Sequence, residues 1–166
     1  MIKLIALISM VIDHLGYAFF PEAEWMRWLG RFVMPIFAYA VARGFHFTAS
    51  RKRYLLQLSV LAVISLIPYW LFTGSWTLNM IVPWALAVLA LMAPVWVIPL
   101  LTAGLLLIPM DYSSLIILLP ISIYHFWFKE KKPLLLVASV VGVLSAVGLL
   151  SVDHWQWFAL ASIPLI

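Results

Sequence analysis

The sequence predicts an all-α fold: a polytopic transmembrane helix bundle of about seven or eight helices, forming one domain over residues 1–166, with its N-terminus in the cytoplasm. Three observations predict it. Apolar residues make up 66% of the chain and charged residues 10%, far below the roughly one quarter of a soluble domain. The apolar residues fall in runs close to the roughly 20 residues that cross a bilayer as a helix. The basic residues collect in alternate loops, the pattern that sets membrane orientation. The mean hydropathy of +1.13 agrees. So do nine tryptophans, whose indole rings favour membrane interfaces.

The first span runs from Ile2 to Phe20, interrupted by Lys3, Asp13 and His14. It begins like a signal peptide, but no small-residue cleavage site follows and Asp13-His14 breaks the apolar region, so it reads as a retained helix. A short acidic loop, Pro21 to Trp25, leads to the second span, Arg27 to Phe47, which carries Arg31, Pro35 and Arg43. Arg51-Lys52-Arg53 precedes the third span, Tyr54 to Phe72, and Gly74 and Ser75 mark the turn after it. The fourth and fifth, Leu78 to Met92 and Val95 to Ile108, are short and meet at Pro94. The sixth runs from Ser114 to Phe128 and ends at Lys129-Glu130-Lys131-Lys132. The seventh covers Leu134 to Leu150. An eighth starts near Trp155 and has twelve residues before Ile166, about 18 Å of helix, which is read as a half-helix or a truncated span.

With the N-terminus inside, the loops at 48–53 and 129–133 also fall inside, with six of the ten lysines and arginines. Glu22, Glu24, Asp111 and Asp153 fall outside. The basic clusters read as topology signals and contacts to anionic lipid, and no nucleic-acid partner is expected. The absence of cysteine excludes a disulfide framework, a thiolate metal site and a thiol nucleophile. There is no Gly-rich phosphate loop, zinc-binding motif or Gly-x-Ser-x-Gly elbow, and no metal is expected.

Ionisable groups within a span cost at least about 2.5–3.5 kcal/mol each, so every one calls for an explanation. Counting along two antiparallel helices places Asp13, His14 and Arg31 at similar depth in the outer half, and Lys3 and Arg43 near the inner surface. That depth permits an Asp13–Arg31 ion pair. Lys3 and His14 are eleven residues apart, close to three turns, and point to nearly the same side, read as the lining of a polar cavity. Pro35 cannot donate to the carbonyl of Arg31, and a freed backbone group in a membrane needs protein or a watery cavity. The chemical reading makes Asp13 and His14 the catalytic pair. Imidazole titrates near neutral pH, and a carboxylate partner orients it as a general base. Arg31 stabilises negative charge, while Lys3, Arg43 and the 51–53 cluster attract an anionic co-substrate. The bland alternative is that Asp13 and Arg31 only clamp two helices together. His46 and His125 read as boundary residues, and His154, in an outer loop, lies outside the cluster. Asn79 and Tyr39 face either the bundle or the cavity.

The stretch Lys3-Leu-Ile-Ala-Leu-Ile-Ser-Met-Val-Ile-Asp-His14 resembles the opening of the TraX family. Gly30-Arg31-Phe-Val-Met-Pro35-Ile-Phe37-Ala does so as well, followed by Gly44-Phe45, Thr48 and Tyr54-Leu55, with a weaker match at Asp111-Tyr112. The resemblance is strongest over the first two helices. Family members usually continue through a last helix to a basic tail, which supports reading the C-terminus as shortened. The family is named for a protein that acetylates the N-terminus of F-type pilin, and it is similar to a wider group of transmembrane acyltransferases, many with a basic residue and a histidine eleven positions apart in the first helix. The resemblance therefore implies a multi-pass protein of the bacterial inner membrane, using acetyl-CoA or another acyl-CoA as co-substrate. It implies His14 as the catalytic residue, with Lys3, Arg31 and Arg43 contacting acyl-CoA or acceptor. Lysine at position 3 keeps the charge of an arginine but not its fork.

The function expected is an acyltransferase moving an acyl group, acetyl above all, from cytoplasmic acyl-CoA to a hydroxyl or amine at the membrane, on a protein N-terminus, glycan or lipid. The alternative is a non-enzymatic transporter or assembly factor with a His-Asp-Arg proton relay.

Overall fold

A computed structural model of the chain describes residues 2–105, 108 and 114–129, and at positions 2, 3, 27, 28, 31, 32, 105, 114 and 115 only the backbone. The expected seventh and eighth spans, together with Asp111, Asp153 and His154, lie outside the described residues.

Every described element is helical: α1 (Ile2–Phe19), α2 (Glu24–Phe47), α3 (Arg51–Thr73), α4 (Ile81–Met92), α5 (Val97–Leu105) and α6 (Leu118–Ile123). A 3₁₀ turn, Ser114–Ile117, leads into α6, and a π-helical stretch, Tyr124–Lys129, continues it.

Local chemistry sets the boundaries, and several differ from the sequence reading. α2 begins at Glu24 rather than Arg27, because a glutamate suits the positive end of a helix. α3 begins at Arg51 rather than Tyr54: Ser50 is the N-cap, and its Oγ accepts from the Arg53 N–H at 3.4 Å. It ends at Gly74, whose left-handed φ of 67° any side chain would strain. α4 begins at Ile81 rather than Leu78, because the Asn79 side-chain oxygen accepts from the N–H groups of Ile81 (3.1 Å) and Val82 (3.4 Å). α5 is shorter at both ends than the expected Val95–Ile108.

α1 and α2 form an antiparallel hairpin, the most extensively packed helix pair among the described residues. Small residues permit it: a Cβ on Gly16 would meet Met26 at 2.7 Å, and a Cβ on Gly30 would fall on the Asp13 side chain. α3 pairs with α4, while α6 packs against α2 and α4. The core between these pairs is built on Val41, Phe45, Trp84 and Val88, with Ala38 and Ala42 turned to α6. α2 thus stands at the centre, and α1 and α3 flank it without packing along each other.

The core is apolar, but the outer surface is apolar too. Asp13, Asn79, Thr102 and Ser122 are buried, while most of the large apolar side chains of α1 and α3 are exposed. Only Ala62 of α3 is buried, and Leu71 is 82% exposed. Among the described residues α3 alone is long and apolar enough to cross a membrane by length and composition, at 23 residues and a mean hydropathy of 2.0. α2 is 24 residues long, but Glu24, Arg27, Arg31, Arg43 and His46 lower its hydropathy. α4, with 12 residues, reaches only about 18 Å.

The packing predicts a contrast between two glycines. Gly30→Ala forces a methyl group into Asp13 and should destabilise the protein by about 1–3 kcal/mol, read as a lower thermal unfolding midpoint in detergent. Gly104→Ala meets nothing within 4 Å in α5 and should leave that midpoint unchanged or raise it.

Candidate functional site

Two stripes run along α1. Ala6, Asp13 and Gly16 are buried towards α2. Leu7, Met10, His14 and Tyr17, spaced three or four residues apart, line a cavity. The position of Lys3, four residues before Leu7, continues this second stripe, and its side chain lies outside the described residues. Asp13 sits where the stripes meet, 8% exposed, against Gly30 and at the edge of the cavity.

His14 is half exposed. Its Nδ1 lies 2.8 Å from the carbonyl oxygen of Met10, one turn earlier. A carbonyl only accepts, so the proton of the neutral ring sits on Nδ1 and the lone pair on Nε2. The Asp13 Oδ2 is 3.8 Å from Nδ1, an ion-pair distance rather than a hydrogen bond. The backbone of α1, not the Asp13 carboxylate expected from the sequence, therefore provides the hydrogen bond that orients the imidazole. Asp13 contributes a nearby charge.

The cavity has a volume of about 810 Å³ and lies between α1, α2, α3 and the start of α4. Its wall on α3 runs from Tyr54 to Thr73, nearly the length of that helix and about 28 Å. Its chemistry changes along this length. At the end of α1 and α3 it is polar, with Asp13, His14, Ser65, Thr73, Ser75 and Asn79. Asn79 is fully used there: its Nδ2 donates to the Ser65 Oγ at 2.8 Å while its oxygen caps α4. Towards the other end the lining is apolar, with Val33, Phe37, Val41, Leu58 and Trp84, until Tyr54, whose hydroxyl donates to the Val41 carbonyl at 3.3 Å.

The expected site residues divide. Asp13 and His14 stand together in the cavity wall. The side chain of Arg31 lies outside the described residues, so the expected Asp13–Arg31 pair does too; its backbone follows Gly30, at the depth of Asp13. Arg43 is not brought to the site: it is exposed, its guanidinium 5.7 Å from the centre of the Phe47 ring. There it joins Arg51, Lys52, Arg53 and Lys129 at the end where α2 stops and α3 begins, while Glu22 and Glu24 lie at the opposite end. Asn79 faces the cavity, whereas Tyr39 packs on Trp127 and Phe128. His46 stacks on Phe128 with centroids 4.8 Å apart. Among the described residues no three His, Cys, Asp or Glu side chains converge as metal ligands. The α3 wall was not read from the sequence. Tyr54, Ser65, Pro68 and Tyr69 line it, but Gln57, Ser59 and Trp70 on the same helix blur any polar face in the sequence.

Helices that turn aliphatic residues outward and enclose a mainly apolar cavity with a polar end suit a membrane-associated helical protein. The chain belongs to the TraX family, whose model, described as TraX protein, matches residues 1–166. It is similar to the uncharacterized protein RP591 of Rickettsia prowazekii, 39% identical over 46 residues, a match taking in 28% of this chain and 18% of that protein. It is also similar to a probable fimbrial assembly protein, FimC of serogroup H1, from Dichelobacter nodosus: 24% identical, over 95% of this chain and 72% of that protein. No solved structure matches.

Asn79 ties the start of α4 to α3. Asn79→Ala removes a helix cap and the bond to Ser65 and should cost about 1–2 kcal/mol in an unfolding measurement, whereas His14→Ala, at a half-exposed site, should cost less.

Proposed function

We propose that this protein is a multi-pass membrane acyltransferase in which His14 acts as general base on an acceptor hydroxyl or amine. The observation that carries the reading is the His14 ring itself. Its Nδ1 is held by the Met10 carbonyl, and its Nε2 lone pair is left for chemistry in the wall of a large cavity. Several features support a membrane setting with more than one span. The aliphatic surfaces of α1 and α3 suit hydrocarbon. The segregation of Arg43, Arg51, Lys52, Arg53 and Lys129 from Glu22 and Glu24 suits a cytoplasmic basic end. The cavity, about as long as the roughly 30 Å hydrocarbon core, suits a donor and an acceptor arriving from opposite sides.

The residues present fit a coenzyme A thioester in part. The apolar stretch between Phe37 and Leu58 suits an acyl group and its thin arm, and Arg51, Lys52 and Arg53, next to cavity residue Tyr54, suit phosphate groups at the basic end. When bound, the thioester supplies an electrophilic carbonyl carbon. His14 Nε2 takes the proton of the acceptor as its oxygen or nitrogen bonds to that carbon. The carbon–sulfur bond then breaks, and the imidazolium returns the proton to the departing thiolate. The products are an ester or amide and free coenzyme A, with no net change in protons or electrons. The Dichelobacter relative's name, a probable fimbrial assembly protein, is consistent with a protein acceptor.

Purified protein in vesicles, given labelled acetyl-CoA and a range of amines and alcohols, should transfer label and release thiol. His14→Ala should lower the rate about 10²- to 10⁴-fold, the range of a general base, with unfolding and acyl-CoA binding unchanged. Equal rates for wild type and His14→Ala would overturn the reading. Failure to bind CoA, with proton-coupled flux instead, would favour a transporter.

A further inference from the structure

The α1–α2 and α3–α4 interfaces are closed by packing, whereas among the described residues no helix packs across the α1–α3 side of the cavity. At the polar end one ring bridges the two helices: Phe72 lies 5.4 Å, centroid to centroid, from both His14 and Tyr17. Towards the basic end, Leu7 and Met10 of α1 and Leu61 of α3 line the cavity while remaining 48%, 37% and 51% exposed. A side chain that both lines a cavity and meets the outside marks an opening. This one is on the flank of the bundle, between helices whose outer faces are aliphatic: Ile8 and Val11 on one side, Val60 and Ile64 on the other. In a bilayer it opens into hydrocarbon. Met10 is about 6 Å and Leu7 about 10 Å along α1 from His14, so a chain lying in the gap ends at the imidazole. The polarity has the same sense. Thr73 and Ser75 lie at the His14 end, and mostly aliphatic side chains surround the gap, the arrangement that receives an amphiphile of the outer leaflet with its head at the acidic end.

We propose that the gap between α1 and α3 is a lateral portal, and that the acceptor is a membrane-resident amphiphile. Its hydrocarbon chain lies along Leu7, Met10 and Leu61, and its hydroxyl or amine meets His14 behind the Phe72 ring. The inference rests on the acyl-transfer reading and names the acceptor class for it. The bond changes are those already given: the oxygen or nitrogen of the amphiphile gains the acyl group, and its proton passes through His14 to the coenzyme A thiolate.

The test compares dodecylamine with butylamine as acceptors of labelled acetyl groups in phosphatidylcholine vesicles. Partition alone favours the long chain, so the reading is the change in the dodecylamine-to-butylamine ratio between variants. Leu61→Trp, which fills the gap, should lower that ratio at least tenfold. Val63→Trp, on the same helix but outside the cavity and 66% exposed, should preserve it. An unchanged ratio in Leu61→Trp, or equal use of both amines by the wild type, overturns the portal while leaving acyl transfer standing. A second measurement needs no turnover. A nitroxide-labelled long-chain amine should show an immobilised spectral component that Leu61→Trp removes and Val63→Trp retains. A component insensitive to Leu61→Trp overturns the portal. Loss of thiol release with every acceptor, with the immobilised component intact, would instead defeat the acyl-transfer reading.

Discussion

The architecture depends on how closely α2 can approach α1 at Asp13. A carboxyl group partway along an apolar helix is expensive to bury and must be enclosed by protein rather than lipid. Gly30 makes the enclosure possible, because its missing side chain leaves the volume that the Asp13 carboxyl occupies. With Asp13 turned to α2, the helical angle of about 100° per residue turns His14 away from that interface. One packing contact therefore hides the acid and presents the base. The Met10 carbonyl then sets which imidazole nitrogen carries the proton.

The second hairpin completes the chamber with different means. α3 is nearly bare on its outer faces, and its hold on the rest comes from α4 and from Asn79, which joins Ser65 to the first turn of α4. α1 and α3 meet through the Phe72 ring instead of a packed interface. The cavity is thus a consequence of two hairpins sharing α2 and α4 as a common core while their outer helices stay apart. The space between them is polar at the His14 end and apolar towards Tyr54.

Much of this was legible in the residues, and what was missed has identifiable physical reasons. The shared face of Lys3 and His14 is plain in the sequence, because charged residues on an apolar helix mark a face, whereas Leu7, Met10 and Tyr17 are apolar or aromatic and carry no such mark. The first hairpin was equally plain, since Pro21 and two glutamates interrupt two apolar runs. Asp13 was read as the partner that orients His14, because sequence shows neighbours but not the angle between their side chains; adjacent residues on a helix diverge, and the backbone carbonyl one turn back carries no sequence signature. Depth puts Arg43 towards the basic end, where the structure has it, but its orientation towards Phe47 depends on a rotation that depth does not give. The α3 wall is hidden in the sequence because leucine, isoleucine and valine occur around most of that helix, and only its packing decides which of them meets the cavity. Helix starts shifted where Ser50 and Asn79, read as loop or undecided polar residues, act as caps.

The proposed function requires that water reach the cavity while the outer faces of α3 meet hydrocarbon. The chain has no cysteine, so single cysteines report without background. In sealed vesicles, a membrane-impermeant maleimide should modify Ser65→Cys, in the cavity wall, and spare Val63→Cys, two residues away on the aliphatic face. Equal modification of both would mean that water, not hydrocarbon, surrounds α3. Protection of both would mean that no water reaches the chamber, and either result would contradict the account.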